Sequence, residues 1–266
     1  LQRVTLVIIF AVSVTSGPAE HTMFSSRSDE DTQLDSPTPS RVWGDQWLRV
    51  SEKVLTGLNH QLTNRSAALD SLVGVIATEP ELDKAMLTAL QEEVVRLIDL
   101  LGLFRMMPAE ASPNAQAMRL QDTMPQVLRL HMHHADLKGV TVALNGDPDT
   151  DPVLIRPSAL LRSLLVLLES GAGNAARSGR RAPLTLGYAN DGNSYVRITL
   201  EASAPTGQMV FTGPGSLVHA VRAALAHAHG TIDASIVDGA EGPVLRYVLR
   251  FPTLTEARRL EDDAAA

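Results

Sequence analysis

The sequence contains no cysteine, which excludes disulfides, thiolate-ligated zinc and thiol nucleophiles. Aromatic residues are scarce, 4% of 266 residues, so a core has to be built from Leu, Val, Ile and Ala. Basic charge is outweighed: 23 Lys and Arg stand against 30 Asp and Glu, a formal net charge of −7, with no basic block. That excludes nucleic acid as a partner recognised through its phosphates. No serine stands in a nucleophile elbow. The apolar stretch at the amino end, Val4 to Val14, has 11 residues, and as a helix it would span roughly 16 Å, about half of a bilayer core. Three readings of it stand open: the apolar region of a signal peptide with Arg3 before it, the end of a membrane helix that anchors the chain, or a mis-assigned start. What remains is globular, 44% hydrophobic and 20% charged, enough for one large domain or two smaller ones.

Residues 17–41 are rich in Ser, Thr, Pro, Asp and Glu and read as a disordered linker. From about Val42 a helical pattern begins. Leu55, Leu58, Leu62, Arg65, Leu69, Leu72 and Ile76 are spaced 3-4-3-4-3-4, a heptad seam with one charged interruption. Thr78-Glu79-Pro80-Glu81 breaks it, and Pro80 suits the first turn of a second helix. A second seam, Leu87, Leu90, Val94, Leu97, Leu101 and Phe104, ends at Met107-Pro108. Two helices with a short connection lie antiparallel. Met86, Val95, Ile98 and Leu100 widen the apolar face of the second helix beyond what one partner covers. This predicts a homodimer whose hairpins form a four-helix bundle; the alternative is that the carboxyl-terminal domain covers the extra face. With Leu55 at position a, His60 falls at the outward position f, and Asn64 shares its face four residues on. An exposed imidazole is a competent nucleophile toward phosphorus, and equally an ordinary surface histidine.

Residues 108–117 read as a linker and Leu120 to Leu137 as a helix interrupted near Pro125. A strand at Val140 to Leu144 and a short one at Val153 to Arg156 follow. Ser158 is the predicted N-cap of a helix from Ala159 to about Ala176. Strands at Leu184 to Tyr188 and Tyr195 to Glu201 flank the hairpin signal Asn190-Asp191-Gly192-Asn193. A Gly/Pro-rich loop spans Pro205 to Gly215. A helix from Ser216 to Ala228 and a hairpin of Thr231 to Val237 with Val244 to Phe251 complete the domain, and the tail from Glu256 is polar and frayed. The fold class is α+β: a long antiparallel helical hairpin, then a two-layer α/β sandwich with helices on one face of a mixed sheet. The predicted divisions are 1–41, 42–107, 116–253 and 254–266. His131, His133 and His134 place two imidazoles on one helical face with no third ligand, so no metal site is predicted.

The order of these elements, with His60-Gln61-Leu62-Thr63-Asn64-Arg65, resembles the sensor histidine kinase family over about residues 50–252. The resemblance implies that His60 is the phosphoacceptor on a dimeric hairpin. It also implies that the second domain has the Hsp90/gyrase/MutL-type ATPase fold. Gln61 stands where the family carries a carboxylate base, and an amide is no base near neutral pH. The stretch Leu160 to Ala176 resembles the family's N-box helix, with Ser170 at the metal-binding asparagine position, or Asn174 after a one-turn shift. Ala202 stands at the adenine-binding aspartate position; Glu201 beside it points to the opposite face of its strand. Gly213 and Gly215 resemble the last glycine motif, at the start of a helix where free amides hold an anion. Ser170, Asn174, Gly213 and Gly215 are thus the candidate nucleotide contacts.

Because the polar ligand-holding groups are replaced while the apolar pattern stays, the resemblance implies a histidine phosphotransferase-like protein. It carries or relays a phosphoryl group on His60 to a response regulator receiver domain, with Asn64 positioning the group and no bound cofactor. The alternatives are an active sensor kinase using ATP and magnesium, and a non-catalytic dimeric scaffold. The implied location is cytoplasmic, with or without a membrane anchor at residues 4–14.

Overall fold

The computed structural model describes residues 38–78, 83–107, 114–137, 139–179, 183–205 and 216–265. The apolar stretch at 4–14, the linker up to residue 37, the turn at Pro80 and the glycines Gly213 and Gly215 lie outside them. Among the described residues no helix is long and apolar enough to cross a membrane.

Helix α1, Pro39–Thr78, runs unbroken for 40 residues and carries two stripes. One is the predicted seam, half-buried from Leu62 to Ile76, whereas at its start Leu55 is exposed and Leu58 is buried in the core of the α/β domain. The other is Trp43, Trp47, Val50, Val54 and Gly57, spaced 4-3-4-3 along the first half. Helix α2, Lys84–Met106, starts later than the Pro80 reading places it, because the Asp83 carboxylate caps it, accepting from the Ala85 N–H at 3.2 Å. On α2 the predicted seam divides. Leu90, Leu97 and Phe104 are half-buried, whereas Leu87, Val94 and Leu101 are exposed together with Val95 and Ile98. Glu93 fills the inward position between Leu90 and Leu97. Both its oxygens accept from Arg65, the charged interruption of the α1 seam, at 3.1 Å, and Arg96 bonds it as well. Burial alone would push the Glu93 carboxyl up; the hydrogen bonds from Arg96 and Arg65 outweigh it and hold the group below the usual carboxylate range.

The linker predicted to run to Ala117 ends earlier, since strand β1, Gln116–Met118, pairs antiparallel with β3, Val153–Ile155. Helix α3, Leu120–His131, continues through Pro125, whose forfeited hydrogen bond falls on Gln121 in the first turn. It stops at His131, and a separate 3₁₀ turn covers Ala135–Leu137. Helix α4, Pro157–Ser178, begins with Pro157 preset for the first turn after Arg156 and ends at Gly179, φ +70°. Ser158, the predicted cap, is instead buried with no partner for its hydroxyl. Strands β2, Val142–Gly146, β4, Leu184–Asp191, β5, Tyr195–Ser203, β6, Thr231–Gly239, and β7, Gly242–Pro252, form one sheet in the order β2-β4-β5-β7-β6. Only β2 and β4 pair in parallel. Helix α5, Leu217–Leu225, is capped by Ser216, whose Oγ accepts from the His219 N–H at 3.2 Å. The tail read as frayed is helix α6, Leu254–Ala265, which buries Ala257 and ties Arg259 to Glu256 and Asp263.

The sheet alternates as a half-buried sheet must. Val196, Ile198, Leu200 and Ala202 of β5 turn into the core shared with Leu164, Leu167 and Leu168 of α4. On the other face Glu201 meets its cross-strand partner Arg246 at 2.7 Å. Helix α1 joins this core: Val50, Val54 and Leu58 are wholly buried in it, and Trp43 and Trp47 pack on its edge. Its first half thus packs on α4, α5 and the 3₁₀ turn.

The glycines of α1 differ in a way that reverses the usual effect of alanine. A Cβ on Gly74 would meet nothing within 4 Å, whereas one on Gly57 would lie 1.7 Å from the His133 carbonyl oxygen. Gly74→Ala is expected to stabilise the chain by about 0.5–1 kcal/mol, and Gly57→Ala to destabilise it, read as opposite shifts of the urea midpoint.

Candidate functional site

His60 is exposed on α1, one turn beyond the buried Gly57 and Leu58. The amide nitrogen of Asn64 lies 3.4 Å from His60 Nε2, so the two side chains face solvent together, as their spacing predicts. One ring nitrogen is held near a polar neighbour and the ring stays open to an incoming electrophile. Gln61 turns away from this face. It is half-buried and lines a cavity of about 170 Å³ between the hairpin and the end of α3, with Arg65, Arg96, Asp99, Arg129 and His133.

Of the candidate nucleotide contacts, Asn174 is directed inward, whereas Ser170 is half-buried and lines a cavity of about 420 Å³ with Arg49, His134, Glu169 and Arg177. Ser170 Oγ lies 3.0 Å from Tyr247 Oη. Asn174 is 2% exposed; its Nδ2 donates to the Ser170 carbonyl at 2.9 Å and its Oδ1 accepts from Arg177 at 2.6 Å. Burial pushes the Tyr247 phenol up. Ala202 is buried against Gly171 of α4. Gly213 and Gly215 lie outside the described residues.

Beside Ser170 the wall between α1 and α4 is ionic. Arg49 of α1 gives Glu169 three hydrogen bonds of 2.8 to 3.3 Å. His134 Nε2 stands 3.7 Å from the same carboxylate, an electrostatic contact too long for a hydrogen bond, and neither of its ring nitrogens has a partner. Burial alone would raise the Glu169 carboxyl; His134 and Arg49 outweigh it and hold it low. Lys53 pairs with Asp136 at 3.1 Å, and Arg162 stacks over Trp47, 4.9 Å from the ring centre. Arg49, Glu169 and Tyr247 carry no sequence signal as site residues: Arg49 and Glu169 are 120 positions apart. Glu93 alone is readable, as the acid on the inward face of α2 opposite Arg65.

The histidine trio does not converge. His131 and His134 are buried and His133 half-buried. Among the described residues no three His, Asp or Glu side chains stand together as a metal set. His227 accepts the Arg156 N–H at Nε2 and lies with Nδ1 3.1 Å from the Ala224 carbonyl, tying the start of α4 to the end of α5.

Burial, with His134 nearby, lowers His131 from 6.5 to about 4. The neutral ring is therefore favoured in the folded state. Its stability contribution is complete above pH 6.5, is lost as pH falls toward 4, and amounts to about 3 kcal/mol. His131→Leu is expected to flatten the fall of the urea midpoint over that window relative to the native chain; identical slopes would contradict the assignment.

No family model and no curated protein matches the chain. Among solved structures it is similar to the Acinetobacter baumannii histidine kinase AdeS, at 16% identity over 73% of this chain and 98% of that one, TM-score 0.42. It is also similar to the mycobacterial sensor histidine kinase MprB, at 13% identity over 52% and 97%, TM-score 0.42. A blue-light activated histidine kinase of Erythrobacter litoralis is similar at 14% identity over 76% and 63%, TM-score 0.37.

Proposed function

We propose that the chain is a histidine-kinase-like protein of two-component signalling in which His60 carries a phosphoryl group exchanged with a response regulator receiver domain. The observation that carries this reading is the exposed His60 imidazole, with the Asn64 amide 3.4 Å from Nε2, on a long helix. Transfer from a receiver's aspartyl phosphate breaks the acyl O–P bond and forms an N–P bond on the ring, while Asn64 orients the group. The chemistry needs no base at Gln61, because the receiver's carboxylate is the leaving group.

Among the described residues, Ser170, Asn174 and Ala202 do not fit a magnesium nucleotide. The Asn174 amide is spent on Ser170 and Arg177, the Ser170 hydroxyl is engaged with Tyr247, and Ala202 offers no polar atom to an adenine amino group. No step is therefore derived through ATP. The exposed Leu87, Val94, Val95, Ile98 and Leu101 along α2 support a homodimer closed through the hairpins. The reading places the chain in the cytoplasm, where receiver domains are found.

The test is transfer from receiver domains charged with radiolabelled acetyl phosphate. The native chain is expected to take acid-labile label, His60→Ala to take none, and Asn64→Ala to label about tenfold more slowly, the effect of one hydrogen bond made in the transition state. Equal labelling of His60→Ala would overturn the reading, and tight binding of magnesium ATP would favour a kinase instead.

A further inference from the structure

We infer that Gly57 is a positioning residue that welds α1 to the α/β domain one turn before His60, so that the imidazole and the domain move as one body. An added Cβ at Gly57 would lie 1.7 Å from the His133 carbonyl oxygen and 2.8 Å from its carbon, both backbone atoms that no rotamer change can move aside. Gly44 and Gly74 of the same helix, and Gly102 of α2, meet nothing within 4 Å. The close approach is thus particular to this turn, and it places the Gly57 Cα against a carbonyl, the geometry of a weak C–H···O contact.

The contact continues along the stripe in both directions. Before it stand the wholly buried Val50 and Val54, the Trp47 ring under Arg162, and the ion pairs Arg49–Glu169 and Lys53–Asp136. After it Gln61 faces the cavity beside Arg129 and His133. From Gly57 to His60 the helix is unbroken, a rise of about 4.5 Å, and the stretch between them holds no proline and no second glycine. Hinges form where the chain can absorb a change of φ and ψ; α1 offers none here. The described residues fall in one compact unit. The functional consequence rests on the phosphotransfer reading of His60: a domain fixed in place cannot swing a donor onto the ring, so the phosphoryl group arrives from outside, and the partner meets one rigid surface.

The absence of cysteine allows two to be introduced and spin-labelled without background. Asn59→Cys on α1 and Ser235→Cys on β6, both exposed, are labelled in the full chain and diluted with unlabelled chain so that only intrachain distances are read. A single narrow distance distribution is expected, unchanged by Gly74→Ala and shifted or broadened by Gly57→Ala. A broad or two-peaked distribution in the native background, or one that Gly57→Ala leaves untouched, would overturn the inference. If Gly57→Ala does not fold, the native distribution decides alone. A folded Gly57→Ala is also expected to raise KM for the receiver several-fold while His60 reacts with phosphoramidate at the native rate; an unchanged KM would refute the positioning role. The distance measurement does not depend on His60 chemistry, so failure of the phosphotransfer reading is told apart from failure of the weld.

Discussion

Everything in the chain depends on one helix being buried in two places at once. The first half of α1 supplies Val50, Val54 and Leu58 to the core of the α/β domain, and its second half lies along α2 as half of a hairpin. Each fully buried aliphatic side chain contributes about 1.5–3 kcal/mol, so the dock is an integral part of the domain core. The outward direction of His60 follows from it: with one stripe on the domain and the seam on α2, the ring at position f has only solvent to face.

Charge plays a different part from apolar burial here. Arg49 is about half exposed although it bonds Glu169 three times, and pairs of that kind contribute little net stability. They make the dock selective, since a helix shifted by one turn would leave Glu169 beside His134 without its guanidinium. Arg65 and Glu93 act likewise inside the hairpin. A buried ionic pair is weak evidence for stability but a recognised device for fixing register, and this one interrupts the α1 seam at the level of the α2 seam that it must match.

Much of this was legible in the residues, for definite reasons. The heptad seam and its outward f position foretell an exposed His60 with Asn64 beside it. Asn190-Asp191-Gly192-Asn193 foretells the β4–β5 hairpin, whose Gly192 adopts φ +72°. The alternation of β5 foretells Glu201 on the face opposite Ala202. The place of Gly57 in the second stripe of α1 stayed hidden because hydrophobic periodicity counts Trp43, Trp47, Val50 and Val54 but not a glycine chosen for close approach. Ser158 looked like a cap because Ser usually is one, but Pro157 starts that helix without it. The polar tail forms α6 because Ala257 finds a buried seat that no local pattern announces. Asn174 illustrates a deeper limit: that its amide is spent on Ser170 and Arg177 is a matter of rotamers and distances, which spacing does not encode.

The sharing of α1 between two cores is tested most directly by equilibrium unfolding in urea followed with two probes. The two tryptophans of the sequence, Trp43 and Trp47, both sit at the dock, so their fluorescence reports its loss, while far-ultraviolet circular dichroism reports helix and sheet throughout. Coincident transitions at equal protein concentration are predicted, because the domain core cannot survive the departure of α1. Fluorescence that changes at clearly lower urea than the dichroism, leaving an intact α/β domain behind, would contradict the claim.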